Sequence, residues 1–223
     1  MSARALHLSL TGFRNPAVFI AACLALGGGA YLACESGLPF VIAGAGAHQL
    51  AVFLGFSAVP AALIVLTKRR AELGGLDQKF LAGLGLYLCF LGPLVLLIPS
   101  NPEYFKGYRM PAPAFAVYMV LTLLQVSTVD FFTKRVVQLE VERAWGPGMG
   151  ILAQFAAWTG GHVIEYFWLK DLAGPAGAVL FLGMTGALTG ALYWKTKNVL
   201  GMMAGHWVLN LLLAAAAILY LPA

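Results

Sequence analysis

Asn198-Val-Leu-Gly-Met-Met-Ala-Gly-His206-Trp-Val-Leu-Asn210 places polar side chains inside an apolar run, and Leu211 to Tyr220 extends that run with no further ionisable chain. The pattern predicts a helix near 199–220, and roughly 20 apolar residues is the length that crosses about 30 Å of hydrocarbon. His206 and Asn210, at i and i+4, lie on one face of that helix, about a turn apart. An imidazole and an amide held in a bilayer need partners, so the pair is a site candidate.

Working outward, the 223 residues are 61% hydrophobic and only 10% charged, with a mean hydropathy of +0.83. A soluble core with a solvated surface does not have this composition; an all-α, polytopic membrane protein does. The formal charge of +5 comes from basic residues clustered between apolar segments, a pattern of membrane topology rather than of nucleic-acid binding. Cys23, Cys34 and Cys89 are scattered and odd in number. They form neither a disulfide framework nor a metal motif, and read as small packing residues. Met1 to Pro16 carries Arg4 and Arg14 ahead of an apolar run without a convincing cleavage site, so the run is read as a first membrane helix.

About seven spans are predicted (six to eight), near 17–34, 46–67, 81–99, 113–132, 149–169, 175–194 and 199–220. Gly27-Gly28-Gly29 and Gly44-Ala45-Gly46 dilute the first two, while Pro60 and Pro93 predict kinks of structural origin. With the N-terminus inside, eleven basic residues (Arg4, Arg14, Lys68, Arg69, Arg70, Lys79, Lys134, Arg135, Arg143, Lys195 and Lys197) fall on the inner side, against Lys106, Arg109 and Lys170 outside. Aromatic belts agree: Trp145 and Tyr193-Trp194 fall at inner ends, Tyr166-Phe167-Trp168 and Tyr220 at outer ones. The expected location is the plasma membrane. Gly183, Gly186 and Gly190 are read as a face for helix packing inside the molecule. Lys134 to Gly150 reads as an interfacial helix, with Glu140, Glu142 and Arg143 on a solvated face, ending in a turn at Gly146-Pro147-Gly148.

Ionisable residues are costly in a membrane and so are functional candidates. Asp130, His162 and His206 fall within predicted spans. Trp158 stands one turn before His162, and Glu165 follows it at i+3, close to the outer interface and to Lys170. His48 begins a span and reads as interfacial.

The order Asp130…Arg135, Trp158-x-x-x-His162, then Asn198 and His206-x-x-x-Asn210 resembles the CAAX protease and bacteriocin-processing (CPBP) family of glutamic-type intramembrane endopeptidases. That family's motifs read Glu-Glu-x-x-x-Arg, Phe-x-x-x-His and His-x-x-x-Asn, and Gly190 to Asn198 resembles its approach to the last. The resemblance runs from Val126 to the C-terminus, so residues 113–223 are expected to form the catalytic core and 1–112 to supply helices without a motif. Here Asp130 stands at the first Glu, Phe131 at the second and Trp158 at the Phe. The resemblance implies Asp130 as general base on a water, His162 assisting, and His206 with Asn210 as donors to the oxyanion. Beside these, Arg135 is read as orienting the acidic residue or binding the interface, Glu165 as a pairing or interfacial residue, and Trp158 and Asn198 as supporting residues.

The expected activity is cleavage of a membrane-associated or C-terminally tailed protein, with the bilayer as surroundings and no cofactor, metal or nucleic acid. The exchange of Glu-Glu for Asp130-Phe131 leaves open a second reading, a non-catalytic membrane scaffold or regulator. A third takes Asp130, His162, Glu165 and His206 as ligands of zinc or iron, although no HExxH-like spacing is present. Substrate identity and oligomeric state are not encoded in any motif.

Overall fold

The computed structural model describes residues 15–37, 45–105 and 110–220. Arg4, Arg14, Gly44, Lys106 and Arg109, used above for spans and topology, lie outside the described residues, as does the side chain of Trp168. Among the described residues there is no strand.

The Asn15 carboxamide accepts from the N–H groups of Ala17 and Val18 and caps α1, Pro16–Gly37. Helix α2, Ala45–Phe53, passes through π-helical residues Leu54–Ala58 into α3, Val59–Leu66. Pro60 lies at the start of α3 and has no N–H to give, which accounts for the widened turn before it. A 3-10 turn, Arg70–Leu73, leads to α4, Gln78–Leu91, capped by Asp77. Pro93 then narrows the chain to a 3-10 segment, Gly92–Leu97. After a one-turn helix α5, Pro102–Phe105, come α6, Ala112–Asp130, and a π-helical stretch, Phe131–Gln138, which continues as α7, Leu139–Trp145. Helices α8, Pro147–Gly161, α9, Val163–Thr196, and α10, Val199–Tyr220, complete the chain.

Among the described residues, six stretches are long and apolar enough to cross a membrane: Pro16–Cys34, His48–Leu66, Arg70–Leu97, Pro113–Trp145, Leu169–Thr196 and Val199–Tyr220. Their lipid-facing surface carries exposed Leu32, Leu96, Val120 and Leu180. The protein is thus a polytopic helical membrane protein, and the six such helices among its described residues stand at the lower end of the range expected. The span expected near 149–169 is the one that fails. Its first part is α8, whose 15 residues reach only about 22 Å. Gly160-Gly161 weakens the helix there, and His162 leaves helical geometry with φ −106° and ψ 22°. A second break follows at Gly174, φ +72°, just before Pro175, where the next span was expected to begin.

The other departure concerns residues 134–150. They were expected on the surface as an interfacial helix, yet the rod begun by α6 runs on to Trp145, with Lys134, Arg135, Gln138 and Glu140 buried. Asp130 is therefore not at the end of its span; eight π-helical and seven α-helical residues follow it. The turn itself lies at the expected place, with Gly146 at φ +88° and Pro147 opening α8.

Glycines set two close helix pairs. A Cβ at Gly201 would lie 2.5 Å from the Phe80 carbonyl oxygen, and one at Gly205 2.6 Å from Tyr87 Cβ, so α10 rides directly on α4. Gly183, Gly186 and Gly190 of α9 face Gln154, Phe155, Trp158 and Thr159 of α8. This small-residue face packs inside the molecule. Between the pairs lies an apolar core including Phe19, Ile64, Tyr87, Phe131, Tyr193 and Met202.

Candidate active site

Asp130 ends α6 with no exposed surface. Its Oδ1 is paired with the ammonium of Lys134, one turn onward and equally buried. Its Oδ2 accepts from His206 Nδ1 at 3.1 Å, across from α10. An ionised carboxylate can only accept, so the Nδ1 of His206 carries the hydrogen and, in the neutral ring, Nε2 carries the lone pair. Tyr87 of α4 stacks on the His206 ring with centroids 5.4 Å apart and an interplanar angle of 20°. The close approach of Gly205 to Tyr87 permits that stacking.

His162 occupies the break between α8 and α9. Its Nδ1 donates to the Trp158 carbonyl oxygen at 2.7 Å, and its ring lies on the Trp158 indole, centroids 3.6 Å apart. The aromatic residue one turn earlier therefore holds the imidazole by both its backbone and its ring. His162 and His206 rings are 6.3 Å apart and nearly parallel, at 26°. In both, the Nδ1–H is committed to a protein acceptor and Nε2 is the remaining ring nitrogen. Asn210 follows His206 by one turn of α10 and is partly buried. The neighbouring Trp207 donates to the Met119 carbonyl oxygen at 3.0 Å and ties α10 to α6.

The remaining candidates lie elsewhere. Arg135 does not reach Asp130. Its guanidinium meets Glu72 and Glu140, the latter at 3.1 Å. Arg69 and Arg143 join the same two carboxylates, and Arg69 lies 4.6 Å over the Phe19 ring. Glu140 is thus the buried centre of an ion network, contrary to the solvated face expected for it. Arg143 remains exposed, while Glu142 pairs with Lys197 at 2.6 Å. Asn198 caps α10: its Oδ1 accepts from Gly201 N–H at 2.9 Å, and its Nδ2 donates to Gly75 O and Asp77 Oδ1. Glu165 sits half-buried in the first turn of α9, its N–H donating to the His162 carbonyl oxygen. Lys170, expected near it, lies over the Phe167 ring at 5.4 Å. His48 packs edge-on against Tyr31.

Among the described residues, no three His, Cys, Asp or Glu side chains are arranged to hold a metal ion. Asp130, His162, Glu165 and His206 thus do not converge as a ligand set. Two contributors were missed from sequence. Lys134 carried a visible signal, its i+4 spacing from Asp130, but was assigned to the inner surface. Tyr87 carried none, being one aromatic in an apolar helix.

A basic cluster also gathers at one end of the bundle. Lys79, Arg143, Lys197 and Asn198 line one cavity of about 290 Å³ together with Glu72 and Asp77. Arg69 and Arg135 reach the same end through Glu72.

Residues 111–212 match the family model described as type II CAAX prenyl endopeptidase Rce1-like. The match begins at the start of α6 and ends within α10, so it takes in Asp130, His162, His206 and Asn210. No curated protein and no solved structure matches the chain.

Proposed function

We propose that this chain, which carries in residues 111–212 an Rce1-like domain consistent with the CPBP family, is an intramembrane endopeptidase that cleaves a membrane-associated or C-terminally tailed protein. The observation that supports this most directly is the Asp130–His206 hydrogen bond inside a membrane helix bundle. A buried carboxylate that fixes the tautomer of an imidazole leaves Nε2 as a base for water.

In this reading Nε2 of His206 takes a proton from water, and the oxygen bonds to the scissile carbonyl carbon while the carbonyl electron pair moves to its oxygen. The tetrahedral intermediate collapses by breaking the C–N bond, and the proton on Nε2 passes to the leaving amine. His162 Nε2 is a second acceptor that orients the water. Asn210, one turn from His206, supplies an amide donor to the oxyanion, an interaction worth about 3–4 kcal/mol where such a donor is removed. The family resemblance gave Asp130 the direct role on water and His206 that of an oxyanion donor. Full burial of Asp130 and the engagement of both its oxygens favour the exchange made here.

The charge bias read from the sequence supports an orientation with the N-terminus and the basic end of the bundle at the cytoplasmic face, and the membrane in this reading is the plasma membrane. A non-catalytic scaffold is the second reading. Phe131, which replaces the family's second carboxylate and is buried in the apolar core, favours it.

Mass spectrometry of protein termini from membranes lacking the protein, containing it, or containing Asp130→Asn at equal abundance separates the two. The protease reading expects new peptide ends only with the unaltered protein. Identical termini in all three, with Asp130→Asn still restoring whatever the null strain loses, would establish the scaffold.

A further inference from the structure

We infer that Lys134 is a positioning residue of the active site, whose ammonium keeps Asp130 ionised so that the carboxylate can orient His206. The inference rests on the assignment of Asp130 and His206 above and adds a member to it.

Four observations carry it. Lys134 and Asp130 are both fully buried and form a direct ion pair. The pair is asymmetric: Lys134 holds Oδ1, which leaves Oδ2 to His206. Arg135, the only arginine adjacent in sequence, is committed to Glu72 and Glu140 and cannot supply the charge. Finally, the second carboxylate of the resembled motif is replaced by Phe131, so the site contains one acid with one amine rather than two acids.

A lone carboxylate enclosed by protein within a bilayer takes up a proton, because its charged form has lost water without gaining a partner. A protonated Asp130 could donate to His206 Nδ1, which would place the ring hydrogen on Nε2 and remove the base. Lys134 prevents this. The other titratable groups that face the pair are His206 on α10, Tyr87 stacked on it from α4 and His162 in the break between α8 and α9, with Glu165 of α9 acting on His206, and none of them is a fixed cation.

The test uses the full chain in lipid nanodiscs as Lys134→Met, Lys134→Arg and the doubly neutral Lys134→Met with Asp130→Asn. Infrared spectra at neutral pH report whether Asp130 carries a protonated carboxyl stretch, identified by its loss in Asp130→Asn. The unaltered protein and Lys134→Arg are expected to lack that band; Lys134→Met is expected to show it, and the double variant to lose it again. On a peptide identified from the terminal mapping, Lys134→Met should lose on the order of 100-fold in turnover, the low end of what a positioned base contributes, and Lys134→Arg about tenfold or less. An ionised Asp130 in folded Lys134→Met, or turnover close to that of the unaltered protein, would overturn the inference. Should Lys134→Met not accumulate, Lys134→Arg decides, because a protonated Asp130 there overturns it and an ionised one with retained turnover supports it. The infrared result needs no substrate, so failure of the protease reading leaves the state of the pair measurable.

Discussion

Asp130 and Glu140, ten positions apart on one rod, are both fully buried acids, and their neighbours give them different work. Asp130 has one cation and one imidazole; Glu140 has Arg69, Arg135 and Arg143. The first arrangement leaves an imidazole nitrogen for chemistry. The second joins the loop after α3, the π-helical stretch and α7, and leaves none. Removing one partner of a buried ionic cluster strands the others, at a cost of about 3–5 kcal/mol. Glu140→Gln is therefore expected to lower the thermal unfolding midpoint in detergent by that order of free energy, with turnover per folded molecule preserved. Loss of turnover in a fully folded Glu140→Gln protein would move this network into the active site. Sequence position marked Asp130 as a charge inside an apolar helix, where it is buried, but put Lys134, Arg135 and Glu140 at the surface although they are buried as fully. It could not divide Arg135 from Lys134, because adjacent residues on a helix point about 100° apart and the π-helical turn settles which one faces Asp130.

At the scale of the helices, the site exists because α10 lies almost on the backbone of α4. Gly201 and Gly205 remove the side chains that would hold the two apart, and Gly83 answers from α4 opposite Gly201. Gly205→Ala should push Tyr87 off His206, costing about 1–3 kcal/mol as overpacking does and lowering turnover even where protein remains folded. Gly85→Ala is the matched control: nothing lies within 4 Å of its Cβ position, and alanine is the better helix former. Equal stability and turnover in both variants would show that the glycine contact does not position the ring. Helices of this kind were legible from hydropathy wherever the apolar run was unbroken. The broken ones were not. The span expected near 149–169 joined α8 to the first turns of α9 because Gly160-Gly161 is apolar by composition, although it marks the place where His162 turns into the bundle. Likewise Lys134-Arg135 and Glu140 read as a polar surface, because pairing between distant segments, such as Arg135 with Glu72, has no local signature.

Taken whole, the molecule separates its charges by position: a basic end with Arg69, Arg143 and Lys197 among carboxylates, and a buried acid–amine–imidazole group within the bundle. If that basic end faces the cytoplasm, a membrane-impermeant maleimide applied to intact cells should label a Lys170→Cys protein and spare Lys68→Cys, both in a background without Cys23, Cys34 and Cys89. The reverse labelling would invert the molecule. Whether Asp130 and His206 act as one unit on water is read from a double-mutant cycle. Turnover is compared for Asp130→Asn, His206→Ala and the two combined, at equal folded abundance. Groups that act together are not additive. Asp130→Asn is expected to lose on the order of 10⁴-fold, and the combined variant to be no slower than His206→Ala alone. Losses that multiply would show two independent contributions, and undiminished turnover in Asp130→Asn would rule out a joint action of the carboxylate and the imidazole.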